Sequence, residues 1–124
     1  MTRSAATLVE TLAGLRIGTL HATEAVQAAL EAARGAEWLN AFVMLHAERA
    51  AEEAERIDAA RRAGQDPGPL GGLPVAIKDN IDEAGVVCSA GCAAYGDRIP
   101  ERDATVVARL REAGAVALGR TNMH

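Results

Sequence analysis

Apolar residues recur at helical spacing through the first half of the chain and predict three helices. The first begins at Thr7 and Glu10, which have the Ser/Thr-x-x-Glu spacing of a capping box. Thr23 is the predicted N-cap of the second helix, which ends near Gly35. The apolar segment over residues 39–45 that follows is short and has the length of a strand.

The third predicted helix covers about residues 46–63. An apolar stripe, mostly of alanine, lies on one side, and charges in favourable i,i+4 pairs lie on the other. Asp58 and Arg62 form one of these pairs, so the pattern predicts that Asp58 faces solvent. Small apolar side chains on one face indicate that this helix packs closely against another surface.

A loop rich in glycine and proline over residues 64–72 ends the helical pattern. Residues 73–77 and 115–119 are apolar without polar alternation, which is typical of strands covered on both faces. Asp103 is the predicted N-cap of a helix between them, which ends at Gly114. A strand, a crossover helix and a second strand predict a parallel pair.

These patterns predict an α/β fold, with a helical region over residues 1–66 and the start of a mixed or parallel sheet over residues 67–124. Two or three strands do not complete such a sheet, so we expect residues 67–124 to be part of a larger domain. An open sheet would expose four apolar strand residues and make the chain prone to aggregate. These four residues are Val75, Ile77, Val116 and Leu118.

Composition and charge limit the classes of function. The 124 residues have a formal net charge of -4, which gives no reason to expect nucleic acid or an anionic membrane as a direct partner. No apolar run approaches the roughly 20 residues that span a bilayer, and the N-terminus lacks the apolar stretch of a secretory signal. Cys88 and Cys92 do not make a disulfide framework, so the expected compartment is the cytoplasm.

Lys78 is the only lysine among the 13 lysine and arginine residues, and it follows the apolar run at residues 73–77. Arginine keeps its proton in proteins whereas a buried lysine can lose it, so Lys78 could act as a general base toward a serine hydroxyl. Asp79 would oppose that loss if it touched the amine, but adjacent strand residues point to opposite faces. A solvated lysine at a strand end is the alternative interpretation.

Other polar residues near the predicted strand ends are weaker candidates. Asn80 and Asn122 each follow a predicted strand, where polar groups gather at the sites of α/β proteins, although loop capping explains them as well. Ser89 lies between two cysteines and lacks the flanking signature of a nucleophile. The spacing of Cys88 and Cys92 differs from that of a metal-binding or redox pair. Small residues packed in a loop are the favoured interpretation of this segment.

Residues 68–82, which read Gly-Pro-Leu-Gly-Gly-Leu-Pro-Val-Ala-Ile-Lys-Asp-Asn-Ile-Asp, strongly resemble the amidase signature family. The likeness continues to Gly-Arg-Thr-Asn-Met at residues 119–123 and covers nearly the whole chain. The resemblance implies hydrolysis of carboxamide C–N bonds by a Ser-cisSer-Lys triad. It implies that Lys78 is the catalytic lysine of this triad, and three further residues are expected to support the site. These are Asp79, Asn80 and Asn122.

The family carries both serines in a segment after the Thr-Asn-Met motif, and these 124 residues contain no such segment. The resemblance therefore implies the N-terminal piece of an amidase, inactive by itself. It implies no cofactor or metal, a small-molecule amide as the substrate of the full-length parent, and a homodimer.

Two alternatives to a stand-alone amidase stay open. Asn-Met-His at residues 122–124 resembles general amidases more than the A subunit of a tRNA-dependent amidotransferase. If the parent is this amidotransferase subunit, its expected partners are other subunits and a charged tRNA. A competing interpretation from another class is a non-catalytic module whose helical residues 1–63 bind a partner.

Overall fold

A computed structural model describes residues 6–124, with four α-helices and three strands. In chain order they are α1 (Leu8–Ile17), α2 (Ala22–Gly35), β1 (Phe42–Leu45), α3 (Ala47–Arg62), β2 (Pro74–Lys78), α4 (Thr105–Glu112) and β3 (Val116–Thr121). Single 3-10 turns lie at Glu37–Leu39 and Ala93–Tyr95. Within this part of the chain, no helix has the length and apolarity to cross a membrane.

The strands form one mixed sheet in the order β1-β3-β2. β2 and β3 are parallel and pair from Pro74 and Val116 to Lys78 and Thr121. β1 is antiparallel to β3 and pairs Phe42 with Thr121. The predicted α/β class, with helices preceding a mixed sheet, is therefore confirmed.

Helices and strands of this chain share a single apolar core. Its buried members come mainly from α1, α2, α3 and β3, and partly buried side chains from β1 and β2 pack against them. Ile77, Val116 and Leu118 are buried and Val75 is half-buried. The expectation that an open sheet exposes these four residues was wrong. For the β3 residues the reason is that the helices lie against the strand.

The N-terminus of α2 differs from the prediction in two ways. Thr23 lies inside the helix, whose N-cap is His21, and the Glu24 carboxylate accepts the His21 N–H at 2.8 Å. Asp58, expected in solvent, is only 6% exposed. Its carboxylate accepts hydrogen bonds from the Ala22 N–H at 2.8 Å and from the N–H and hydroxyl of Thr23 at 3.0 and 2.9 Å. A carboxylate is favourable there because unpaired N–H groups and the helix dipole attract negative charge.

Replacing Asp58 with alanine is expected to lower the free energy of unfolding by about 2–3 kcal/mol, since it leaves buried donors of α2 without a charged acceptor. Burial raises the pKa of Asp58, but hydrogen bonds from Thr23 and Ala22 outweigh it, so the pKa lies below the ordinary 3.8. The stabilisation is thus present above that pKa and is lost as pH falls through the lower, folded value. Urea unfolding at neutral and acidic pH measures both effects.

Glu55→Ala on the exposed side of α3 is the matched control. Equal losses for the two variants at neutral pH would contradict the role assigned to Asp58.

Asp103 also has a different role from the predicted N-cap. α4 begins at Thr105, and the Asp103 carboxylate instead accepts the Ala84 N–H at 2.7 Å and lies 3.2 Å from Nε of Arg111. The predicted end of this helix is confirmed, because Gly114 follows it with a φ of +90°, a conformation that glycine adopts without strain. Asp103 therefore ties the long loop after β2 to α4.

Gly119 permits the close approach of β1 to β3. A Cβ atom at this position would collide with the carbonyl oxygen of Met44 and lie 2.9 Å from Cα of Leu45. We expect Gly119→Ala to cost about 1–3 kcal/mol of stability, because rigid backbone must move to admit a methyl group. Amide exchange should accelerate at His46, whose N–H donates to the Leu118 carbonyl at 2.7 Å. Gly35→Ala, which meets no atom within 4 Å, is the control and should exchange as the unsubstituted chain does.

Candidate functional site

Lys78 ends β2 at the carboxyl edge of the parallel pair, opposite Thr121 of β3. Its side chain is exposed, while its neighbours Ile77 and Asp79 are 4% and 1% exposed. Successive side chains point to opposite faces, so the buried side chains on either side of Lys78 fix its backbone while its amine points away from the core. Within residues 6–124 the Lys78 side chain is therefore not buried, although the apolar run before it indicated a buried setting.

Asp79 is bound by donors other than the Lys78 amine. One carboxylate oxygen accepts from Nε of Arg120 at 2.8 Å, and the other accepts from the Ser89 hydroxyl at 2.6 Å and the Gly91 N–H at 3.3 Å. Burial raises the pKa of Asp79, but these hydrogen bonds outweigh it, so the pKa lies below its ordinary value. Asp79 is therefore a buried anion that fixes the loop containing Ser89.

Arg120 lies at the centre of this buried cluster and is 1% exposed. Besides Asp79, its guanidinium contacts Glu83, with Nη1 3.2 Å from Oε2. Nη2 donates to the backbone carbonyls of Ile81 at 2.6 Å and Lys78 at 3.3 Å. One cation thus joins two acidic side chains to the backbone that follows β2.

Glu83 is 0% exposed and needs a second cation. Arg111 of α4 provides it, with Nη2 2.8 Å from Oε1, and Nη1 of Arg49 lies 3.6 Å from the same oxygen. Two buried carboxylates, Asp79 and Glu83, are therefore opposed by the buried Arg120 and the partly buried Arg111. Each buried carboxylate thus has a cationic partner, as buried charges require.

Sequence reasoning missed Arg120 and Glu83. The available signal was the position of Arg120, which directly follows the apolar run at residues 115–119 without a turn residue between them. A charged residue that continues a covered strand must find a buried partner. The partner itself could not be identified from spacing, because Glu83 lies in an irregular loop.

The two asparagines take different positions. Asn80 is exposed in the turn after Lys78. Asn122 donates its backbone N–H to the Ala41 carbonyl at 2.8 Å and its side-chain amide to the Asn40 carbonyl at 3.2 Å. It joins the end of β3 to the segment before β1, so its observed contacts are those of a loop cap.

The loop after β2 offers no activated nucleophile among its described residues. The Ser89 hydroxyl is committed to Asp79, an acceptor whose pKa is lowered rather than raised. Cys88 is buried with its thiol 3.5 Å from the Val86 carbonyl, Cys92 is exposed, and both are free. Over residues 6–124, no group of three or more His, Cys, Asp or Glu side chains is placed to hold a metal ion.

Comparisons with known proteins agree with the resemblance read from the motifs. The family model described as Amidase matches residues 23–124. The A subunit of the glutamyl-tRNA(Gln) amidotransferase of Moorella thermoacetica is 45% identical over 107 residues, covering 86% of this chain and 22% of that protein. Mandelamide hydrolase of Pseudomonas putida is 39% identical over 118 residues, covering 95% and 23%.

The fold is also that of solved amidases. The native peptide amidase from Stenotrophomonas maltophilia superimposes with a TM-score of 0.87 at 37% identity, covering 97% of this chain and 25% of that one. The chain thus spans about a quarter of the length of the relatives it matches.

Proposed function

The chain belongs to the amidase family, and from that premise we propose that Lys78 is the base of a Ser-cisSer-Lys triad that hydrolyses carboxamide C–N bonds. The observation that carries the proposal is the placement of Lys78. Its amine leaves the carboxyl edge of β2 on the exposed side, and both neighbouring residues are buried. The two serines of the triad come from sequence outside these 124 residues.

In this mechanism the neutral Lys78 amine accepts a proton from the bridging serine, which takes the proton of the nucleophilic serine. The nucleophile oxygen attacks the carboxamide carbon, and the C–N bond breaks as the proton returns through the bridging serine to the leaving nitrogen. Water then hydrolyses the acyl-enzyme by the same relay. Burial favours a neutral amine, so the rest of the fold must cover Lys78.

A chimera tests this function. The matching quarter of mandelamide hydrolase is replaced by this chain, and ammonia release from mandelamide is measured. We expect hydrolysis by the chimera, because the relative is 39% identical over nearly the whole of this chain. A folded chimera without hydrolysis, beside an active parent enzyme, would contradict the proposal.

The 124-residue chain alone is expected to show no turnover and no covalent adduct with a mechanism-based serine probe. The physical reason is that the Ser89 hydroxyl donates to Asp79, a carboxylate whose pKa is lowered and which is therefore a weak base. Intact mass after incubation with the probe gives the answer. Labelling at Ser89 would show that the nucleophile lies in this chain.

The A subunit of an amidotransferase is the second candidate, favoured by the 45% identity to the Moorella thermoacetica protein. Asn-Met-His at residues 122–124 favours the hydrolase instead. Copurification from the source organism distinguishes the two candidates. Other subunits and tRNA would accompany an amidotransferase, whereas a hydrolase acting on a small amide is expected to self-associate in the cytoplasm.

No observation favours the helical module, because Ala50 and Ala54 of the alanine stripe are buried in this chain's own core.

A further inference from the structure

We propose that Arg120 is a positioning residue for Lys78, which holds the backbone from which the catalytic amine projects. The inference rests on the proposed function of Lys78 and concerns a residue that the triad does not include. Arg120 is 1% exposed, so it acts through the backbone rather than by touching a substrate.

The geometry that carries the inference is a four-residue turn, residues 78–81, directly after β2. The Ile81 N–H donates to the Lys78 carbonyl at 3.0 Å and closes the turn. Nη2 of Arg120 donates to the carbonyls at both ends, those of Lys78 and Ile81, at 3.3 and 2.6 Å. Nε of the same guanidinium holds the side chain of Asp79 inside the turn. Arg120 therefore fixes the first, second and last residues of the turn from one side.

Contacting all of these acceptors from one buried position requires a side chain whose N–H donors are spread over several nitrogen atoms. Guanidinium presents five N–H donors in a planar fork, and Arg120 uses three nitrogens on two carboxylates and two carbonyls. An ammonium has three donors on one nitrogen, enough for one oxygen of each carboxylate and one carbonyl. Lysine at position 120 should thus preserve some of these hydrogen bonds, and an apolar side chain of similar length should preserve none.

Lys78 allows a measurement at the contacted atom. Because it is the only lysine, lysine labelled with ¹³C at the carbonyl carbon gives one protein signal, from the carbonyl that Arg120 contacts. Loss of a hydrogen bond moves a carbonyl ¹³C resonance upfield. We expect an upfield shift in Arg120→Met and a smaller one in Arg120→Lys.

Asp58→Ala is the control, since it removes a buried carboxylate at the start of α2, away from this turn. Its Lys78 signal should stay at the unsubstituted position. If Arg120→Met does not fold, Asp79→Asn/Arg120→Met is compared with Asp79→Asn instead, because that pair removes a buried anion together with its cation. A carbonyl signal that stays in place without the guanidinium, or that moves equally in Asp58→Ala, would overturn the inference.

The chimera supplies the kinetic readout. Misplacing the amine by about 1 Å should reduce kcat by about 100-fold in Arg120→Met with KM unchanged, and Arg120→Lys should lose less. A change confined to KM, or an equal loss in both variants, would contradict a positioning role. Failure of the proposed function would be recognised differently, by a Lys78→Met chimera that still hydrolyses mandelamide. The carbonyl measurement on the 124-residue chain does not depend on whether Lys78 is catalytic.

Discussion

Replacing Lys78 with methionine in the mandelamide hydrolase chimera is expected to reduce kcat by about 10,000-fold or more. Methionine has a similar length and no basic group, so the bridging serine would have nowhere to send its proton. Loss of one member of a catalytic triad removes nearly the whole relay, because its members act as a unit. Ammonia release from mandelamide under saturating substrate measures the effect.

Two further variants make the result specific to a neutral amine. Lys78→Arg keeps a cation but cannot shed a proton, so it should be as inactive as Lys78→Met. Arg34→Met removes an exposed cation at the end of α2 and should retain the activity of the chimera. Activity in the Lys78→Arg variant would mean that a positive charge, rather than a proton acceptor, is required at this position.

Arg120→Met should destabilise the 124-residue chain by about 3–5 kcal/mol, the effect of removing one partner from a buried ion pair. Asp79 and Glu83 would remain buried without the cation that contacts both of them. The side chain of Arg111 still pairs with Glu83, so most of the cost should arise at Asp79. Chemical unfolding at neutral pH, followed by circular dichroism, measures the loss.

The destabilisation should also depend on pH in a defined direction. The pKa of Asp79 is lowered in the folded chain, so its contribution is present above its ordinary pKa and is lost as pH falls through the lower, folded value. The difference in free energy of unfolding between the unsubstituted chain and Arg120→Met should therefore become smaller at acidic pH. Arg109→Met, on the exposed side of α4, is the control and should be nearly neutral throughout. A deficit that is small at neutral pH, or constant down to acid, would contradict a buried charge cluster.

Local patterns predicted the elements well. The Thr7 and Glu10 capping box is present at the start of α1, Gly114 ends α4, and both predicted strands of the parallel pair form. Each of these features depends on residues a few positions apart, so spacing alone contains the information. The family was also identified from a contiguous motif, residues 68–82, and the match over residues 23–124 confirms it.

The failures occurred where a side chain has its partner far along the chain. Asp58 was assigned to a solvent-facing pair within its own helix, but its donors lie 35 and 36 positions earlier, at the start of α2. Asp103 was assigned to the helix that follows it, but it binds a backbone amide 19 positions earlier. In both cases the carboxylate accepts from N–H donors distant in the sequence, instead of making the local capping or pairing contact that spacing predicted.

The sequence by itself determined the order of helices and strands, the family and the singular position of Lys78, because periodicity and contiguous motifs are local properties. Only the tertiary structure decided that β1 joins β3, that Asp79 turns inward while Lys78 faces out, and that Arg120 lies buried between two carboxylates. Arg120 and Asp79 are 41 positions apart, and their contact exists only once β2 and β3 are paired. Burial of a charge is a property of the assembled packing, which no run of neighbouring residues specifies.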